Sequence, residues 1–284
     1  MRCRRLTGLT RSPGCTAESL SPAEAVALLK DGVKRSTSGE TRLAAPRQGL
    51  LKGAATGQWP YAAILGCIDS RAPVEQIFDA QMGDLFVGRV AGNVASPDLI
   101  ASLECAAAQL AFRGVLWRFP AFRCLPSPSR FRLCRYATKY AGAKVVLVLG
   151  HTKCGAVKGA WAGLEDGHLT GLLGRIRPAV AATKVRLGDV LLPSLTFRRH
   201  VTSCLAIACV PSFAFRLLLV FQKRVGDEAS EANIDACVTA NVFETLAELR
   251  RVSPILANLE TSGSITMLGG VYDVATGGVT FLDN

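Results

Sequence analysis

Residues 144–155 read Lys144-Val145-Val146-Leu147-Val148-Leu149-Gly150-His151-Thr152-Lys153-Cys154-Gly155. Five apolar residues follow Lys144 without a polar break, and three of them are β-branched. That is the pattern of a short strand covered on both faces. Gly150 ends it, and a helix is predicted from about Gly155 to Leu164. A second buried strand is predicted over Tyr61–Gly66, ending at Cys67, and a third over Asp84–Val90. Ser96-Pro97-Asp98 starts a helix with Leu99, Leu103 and Leu110 on one face. Ser21-Pro22-Ala23-Glu24 carries the residues of a capping box, and its helix is predicted to run to Lys30. Within 230–250, Ile234, Val238, Val242 and Leu246 recur every four residues behind Ser230, the stripe of an amphipathic helix. Ser264–Leu282 reads as two strands about an Ala275-Thr276-Gly277-Gly278 turn. Strands alternating with helices predict an α/β fold, with a mainly parallel central β-sheet flanked by helices.

The chain has 284 residues, 49% hydrophobic and 19% charged, which excludes general disorder. Its net charge of +11 would ordinarily point to nucleic acid or a membrane surface. The distribution of the charge argues against both. Arg2, Arg4, Arg5 and Arg11 precede the first acid, Glu18. Segment 111–141 carries Arg113, Arg118, Arg123, Arg130, Arg132, Arg135 and Lys139 with no acid. Segment 187–224 carries Arg198, Arg199, Arg216, Lys223 and Arg224 against Asp189. The rest of the chain is mildly acidic. The two internal segments also hold eight of the twelve Phe and show no clean helical or strand period. The organisation expected is an N-terminal basic extension over 1–19 and a single domain over 20–284, interrupted by two atypical insertions, 111–141 and 187–224.

Val201–Phe221 is as long as a membrane span, but Pro211 and Arg216 interrupt it, so no membrane association is expected. The ten Cys are read as thiols of a reducing compartment, most of them buried small hydrophobes. The cytoplasm is the expected location. The short basic start leaves a chloroplast or a mitochondrion as the alternative. No Gly-x-Gly-x-x-Gly or Walker loop is present, so no nucleotide cofactor is indicated.

Chemistry concentrates in Cys67-Ile68-Asp69-Ser70-Arg71 and His151-Thr152-Lys153-Cys154. Each begins where a buried strand ends, and in a parallel sheet those ends form one rim. Taken singly, Cys67 reads as a core residue, His151 as a loop residue and Asp69–Arg71 as a surface ion pair. On two strand ends together they read as a metal centre. Two thiolates and one imidazole suit Zn2+, and three protein ligands leave the fourth position open, as in catalytic sites. Two thiolates also cancel the charge of the ion, so bound water is acidified less than at an all-histidine site. Arg71 can hold Asp69 with paired charge-assisted bonds and keep it ionised, ready to accept a proton and aim an oxygen lone pair.

These motifs resemble those of the β-class carbonic anhydrases. The resemblance rests on Cys67-x-Asp69-x-Arg71, the run Gly83 to Asn93, Gly150-His151-x-x-Cys154-Gly155-Ala156, Ser102-Leu103-Glu104 and Val271-Tyr272-Asp273. It spans about residues 20–110, 142–186 and 225–282. It implies a carbonate dehydratase, a lyase in which zinc-bound hydroxide attacks CO2 to give bicarbonate. The implied zinc ligands are Cys67, His151 and Cys154, with Asp69 and Arg71 as the catalytic dyad. Asp69 swings onto the metal in some members at low pH. The resemblance further implies a backbone donor at Gly155, a substrate-binding Gln81, and a homodimer or higher homo-oligomer. Val90 stands where many members have Asn, and Cys105 where they often have Tyr.

Other readings remain at this level. The same triad serves hydrolases of carbon disulfide or carbonyl sulfide, which differ in tunnel shape. A structural or redox-sensing zinc protein would need a fourth ligand, yet the remaining His168 and His200 lie in no ligand-spaced motif. Real insertions could also leave a catalytically impaired zinc-binding homologue. Joining Leu110 to Gly142, and Arg186 to Val225, restores connections of the family type. Both segments therefore read as translated non-coding sequence or recent insertions. A shortened chain of about 215 residues lacking both is expected to unfold in one cooperative transition and to bind one zinc per chain. Thermal denaturation with metal analysis on the same sample checks this.

Overall fold

The computed structural model describes residues 20–43, 50–51, 54–55, 58–108, 142–190 and 229–282. Its strands are β1 (Ala62–Gly66), β2 (Leu85–Arg89), β3 (Val145–His151), β4 (Thr266–Tyr272) and β5 (Val279–Leu282). They form one sheet in the order β2-β1-β3-β4-β5. The first four run parallel and β5 returns antiparallel to β4, so the mainly parallel sheet is as expected. Every residue of β1 and β3 is buried, as their unbroken apolar runs require. Alternate residues feed opposite faces. Ala63, Leu65, Val146, Val148 and Met267 enter one core cluster, while Ala62, Ile64, Val145, Leu147 and Leu268 enter the other.

Register places the rim. Gly66 pairs with Arg89 of β2 on one side and Leu149 of β3 on the other. Cys67 therefore leaves the sheet beside the end of β3. That strand extends one residue past the expected stop at Gly150, through His151, because β4 continues alongside it and pairs Tyr272 with His151.

Helices cover both faces. Helix α1 (Pro22–Ser38) starts at the predicted box: Ser21 Oγ accepts from the Glu24 N–H at 3.3 Å and Glu24 Oε2 accepts from the Ser21 N–H at 2.8 Å. It runs eight residues beyond the expected Lys30, since Gly32 and Val33 continue the buried stripe of Ala25 and Leu29. Gly39, left-handed at φ 80°, ends it. A single turn, α2 (Val74–Ile77), follows the Cys67 loop. Helix α3 (Pro97–Ala108) matches its start signal, and Leu110 lies outside the described residues.

Helix α4 (Gly155–Trp161) stops short of Leu164 because Gly163 reverses the chain at φ 69°. It is followed by α5 (Gly167–Gly174) and α6 (Arg177–Val190), neither of which the sequence reading resolved. Helix α7 (Glu231–Val252) buries the predicted stripe of Ile234, Val238, Val242 and Leu246. Helix α8 (Pro254–Thr261) is capped by Ser253, whose Oγ also donates to Glu104 Oε1 at 2.6 Å.

The chain divides into two compact units, residues 1–152 with 242–284, and residues 153–241. The first holds the sheet and both core clusters. Within the second, Val157, Trp161, Leu173, Ile176 and Cys237 are buried. The segments 111–141 and 187–224 lie outside the described residues, apart from the end of α6. The apolar stretch Val201–Phe221 lies outside them too, and among the described residues no helix is long and apolar enough to cross a membrane.

Helix α1 approaches the residue that ends α2 closely. A Cβ on Gly32 would sit 2.0 Å from the Phe78 carbonyl oxygen, a backbone atom that cannot rotate away. Beside it, buried Asp79 accepts from Arg35, Arg42 and Thr41. Gly32→Ala is therefore expected to destabilise the fold by about 1–3 kcal/mol or more, read as a fall in Tm by calorimetry.

Candidate metal centre

The loop after β1 is built as a bracket. The Arg71 N–H and Nε donate to Asp69 Oδ1 at 2.9 and 3.0 Å, and Nη2 donates to Oδ2 at 2.7 Å. This paired bond outweighs burial and holds the Asp69 carboxyl well below the usual carboxylate range. A second arginine grips the same loop by its backbone. Arg89 Nε donates to the Cys67 carbonyl at 2.7 Å, and its Nη2 donates to the Asp69 carbonyl. One guanidinium thus fixes both ends of the Cys67–Asp69 segment. The Cys67 thiol accepts from the Gly92 N–H at 3.3 Å. That donor is aimed by a single 3-10 turn, Ala91–Asn93, in which Gly92 takes a positive φ of 68°.

At the end of β3, His151 is buried with Nδ1 2.9 Å from the Thr152 carbonyl. That carbonyl can only accept, so Nδ1 carries the proton and the Nε2 lone pair is free for another partner. Thr152 is tied in turn to the β4–β5 hairpin. Its N–H donates to the Tyr272 carbonyl at 2.9 Å and its hydroxyl meets Asp273 Oδ1 at 3.2 Å. Lys153 then bends the chain at a left-handed φ of 57°, and Cys154 opens α4.

Three buried ligand atoms result, one each from Cys67, His151 and Cys154, all within 4.8 Å of one another. The arrangement fits a metal ion. His151 Nε2 is a buried polar atom without a hydrogen-bond partner, which is costly unless something else takes the lone pair. Burial lowers the His151 pKa, but the facing Cys67 thiolate outweighs it and raises the pKa above the ordinary value. A cation offering its charge to both groups removes that conflict by displacing the proton. The donor set of two thiolates and an imidazole selects zinc among divalent ions. Cys237 is the contrast. It is buried in the second unit, where burial pushes its thiol up to about 11, the state of an inert core residue. Cys105 is exposed.

Comparison with known proteins bears on the same residues. A family model described as carbonic anhydrase matches residues 62–116 and 128–206. Carbonic anhydrase 2 of Mycobacterium tuberculosis is 33% identical over 199 residues, covering 68% of this chain and 80% of that protein. The chain belongs to the β-carbonic anhydrase family. Its fold is that of CafA of Aspergillus fumigatus, a β-carbonic anhydrase matched with a TM-score of 0.52 at 21% identity over 92% of this chain and 90% of that one. Two tetrameric β-carbonic anhydrases of Sordaria macrospora supply a further match, with a TM-score of 0.51 at 17% identity over 92% and 98%. The matched residues include Cys67, His151 and Cys154 and run into both basic segments.

The departures from the family pattern are accommodated. Val90 donates its N–H to the Gly66 carbonyl at 3.1 Å and packs against the core with Phe86 and Leu99, so an apolar side chain suits the position. Two positions singled out for substrate stand differently. Gly155 is the first, exposed residue of α4, and a Cβ there would meet nothing within 4 Å. Gln81 is not brought to the triad within one chain. It precedes β2, at the amino end of a strand whose carboxyl end pairs beside Cys67, and its amide lies 3.4 Å from the Arg42 carbonyl. Arg89 and Gly92 were legible only as parts of a motif. Their roles come from bonds to a carbonyl and a sulfur that no spacing rule announces.

Arg89→Lys is expected to weaken zinc binding about tenfold, because one ammonium cannot span two carbonyls. Competition with a chromophoric chelator measures it, with circular dichroism to show the fold intact.

Proposed function

We propose that this chain catalyses the reversible hydration of carbon dioxide to bicarbonate, with Asp69 and Arg71 as the residues that orient the reacting water. The single observation that carries this reading is the buried Cys67–His151–Cys154 cluster with the ionised, doubly held Asp69 at its edge, Oδ2 lying 3.8 Å from His151 Nε2.

Zinc would be held by the two Sγ atoms and Nε2, and when bound it supplies Lewis-acid activation of water near neutral pH. His151 is fixed in the tautomer that presents Nε2, because the Thr152 carbonyl accepts a hydrogen bond from Nδ1–H. Asp69, kept ionised by Arg71, can only accept. It can take a hydrogen bond from an oxygen nucleophile and turn that oxygen's lone pair away from itself, toward a carbon substrate. Both Asp69 oxygens are engaged by Arg71, which supports the orienting role over a closed arrangement with the carboxylate as a fourth ligand. Arg89 keeps the Asp69 backbone from moving with its side chain. Gly155 offers a first-turn N–H with no intrahelical partner of its own, suited to a product oxygen. Gln81 would reach a substrate only if another chain supplied it.

A homodimer or larger homo-oligomer is part of the proposal. The tetrameric Sordaria relatives support it, as does β2, a sheet-edge strand whose five residues are all half-buried. Among the described residues Cys67, Cys105, Cys154 and Cys237 stand outside any disulfide, which supports a reducing compartment such as the cytoplasm.

Stopped-flow hydration of CO2 by the full chain tests the reading. Activity is expected to vanish on chelation and return with zinc. Asp69→Asn, which keeps the shape and removes the charge, is expected to lower kcat/KM by about 100-fold or more. Zinc-dependent sulfide release from carbonyl sulfide with no CO2 hydration would replace this substrate assignment.

A further inference from the structure

Between His151 and Cys154 the chain makes its turn through Lys153, a non-glycine residue in the left-handed region at φ 57°. Such a conformation is disfavoured for a residue with a Cβ, and it persists where surrounding structure over-determines it. The sequence puts a lysine, not a glycine, at this bend, so the turn must be held from outside. The outside hold is α7. Asp235 Oδ1 accepts from the Lys153 backbone N–H at 2.9 Å. One turn earlier on the same helix, Glu231 Oε2 lies 3.3 Å from Lys153 Nζ.

The two contacts differ in kind. Lys153 and Glu231 side chains are 48% and 77% exposed, so their ion pair is screened and weak. The bond to Asp235 is to a backbone amide with an ionised acceptor, which is the stronger class. It also fixes the Thr152–Lys153 peptide plane, at the entry to the left-handed residue, rather than a long side chain. Cys154 is the N-cap of α4, one residue past this turn, so the backbone conformation at Lys153 sets where its Cα–Cβ bond points.

We propose that Asp235 is a positioning residue for Cys154, acting through the Lys153 N–H to hold the left-handed turn that aims the thiol at the metal. The inference rests on the zinc reading above. Asp235 touches neither metal nor substrate. Its role is to keep the third ligand from relaxing into an ordinary right-handed turn when the ion is absent. A carboxylate one helical turn inside α7 thus becomes part of the metal site of a loop 82 positions earlier in the chain.

Zinc affinity of the full-length protein, measured by chelator competition, tests this together with the visible spectrum of the cobalt-substituted form. Asp235→Ala is expected to raise the zinc dissociation constant about tenfold and to alter the cobalt bands. Asp235→Asn keeps an acceptor oxygen and is expected to stay within about threefold of the wild type. Lys153→Gly keeps the N–H, suits the positive φ and removes the ion pair with Glu231, and it is expected to bind zinc as the wild type does. Wild-type affinity and spectrum in Asp235→Ala overturn the proposal, as does a loss in Lys153→Gly equal to that in Asp235→Ala. Should Asp235→Ala fail to fold, amide exchange in the wild-type protein reads the same bond. Slowed exchange at Lys153 supports the proposal and unprotected exchange overturns it. A wild-type chain that binds no zinc defeats the underlying metal reading instead, and this is seen before any variant is compared.

Discussion

Parallel pairing of β1 with β3 is the constraint on which the metal centre depends. With Gly66 opposite Leu149, Cys67 leaves β1 beside Gly150 and His151, which continue β3 against β4. Neighbouring strands lie about 4.8 Å apart, the scale of the ligand cluster. A register slip of one residue would move Cys67 by about 3.3 Å and turn its side chain to the other face. Burial on both faces prevents it, because every residue of both strands is buried and Ala62–Leu65 and Val145–Leu149 alternate between the two core clusters. The packing of Val, Leu and Ile therefore does chemical work at a distance. It sets the separation of a thiol and an imidazole that are 84 positions apart in sequence.

Around this frame the site is secured largely through backbone groups. Arg89 holds two carbonyls, Gly92 offers an N–H to sulfur, and Thr152 joins His151 to the β4–β5 hairpin. Asp69 stands ionised at the edge of the cluster, and its charge is confined by Arg71. Two buried sulfurs and a buried lone pair form a poor environment for one another without a cation, and a good one with it. Burial alone does not create this, since Cys237 is equally buried and chemically quiet.

Much of this was legible in the sequence because it depends on local signals. Unbroken apolar runs mark β1 and β3, the Ser21–Glu24 box marks the start of α1, and ligands stand at the strand ends. What was not legible depends on tertiary context. Helix α1 runs past Lys30 because Gly32 can sit against Phe78, and no composition rule measures that gap. Helices α5 and α6 lie in 165–190, where neither turn residues nor apolar spacing gave a clear period. The substrate role of Gln81 is implied by the family resemblance alone, and the fold sets Gln81 before the amino end of β2, whose carboxyl end is the one beside Cys67. The clamp by Arg89 uses main-chain oxygens, which every residue possesses, so sequence alone cannot name the partner.

The central claim is that one zinc ion is shared by two sulfurs and one ring nitrogen with a corner left for solvent. X-ray absorption at the zinc edge of the metal-loaded full-length protein addresses it most directly. The account predicts two sulfur neighbours at about 2.3 Å, one imidazole nitrogen at about 2.0–2.1 Å and one light atom from solvent. A shell without sulfur, or with all four positions filled by protein donors in the active enzyme, would contradict it.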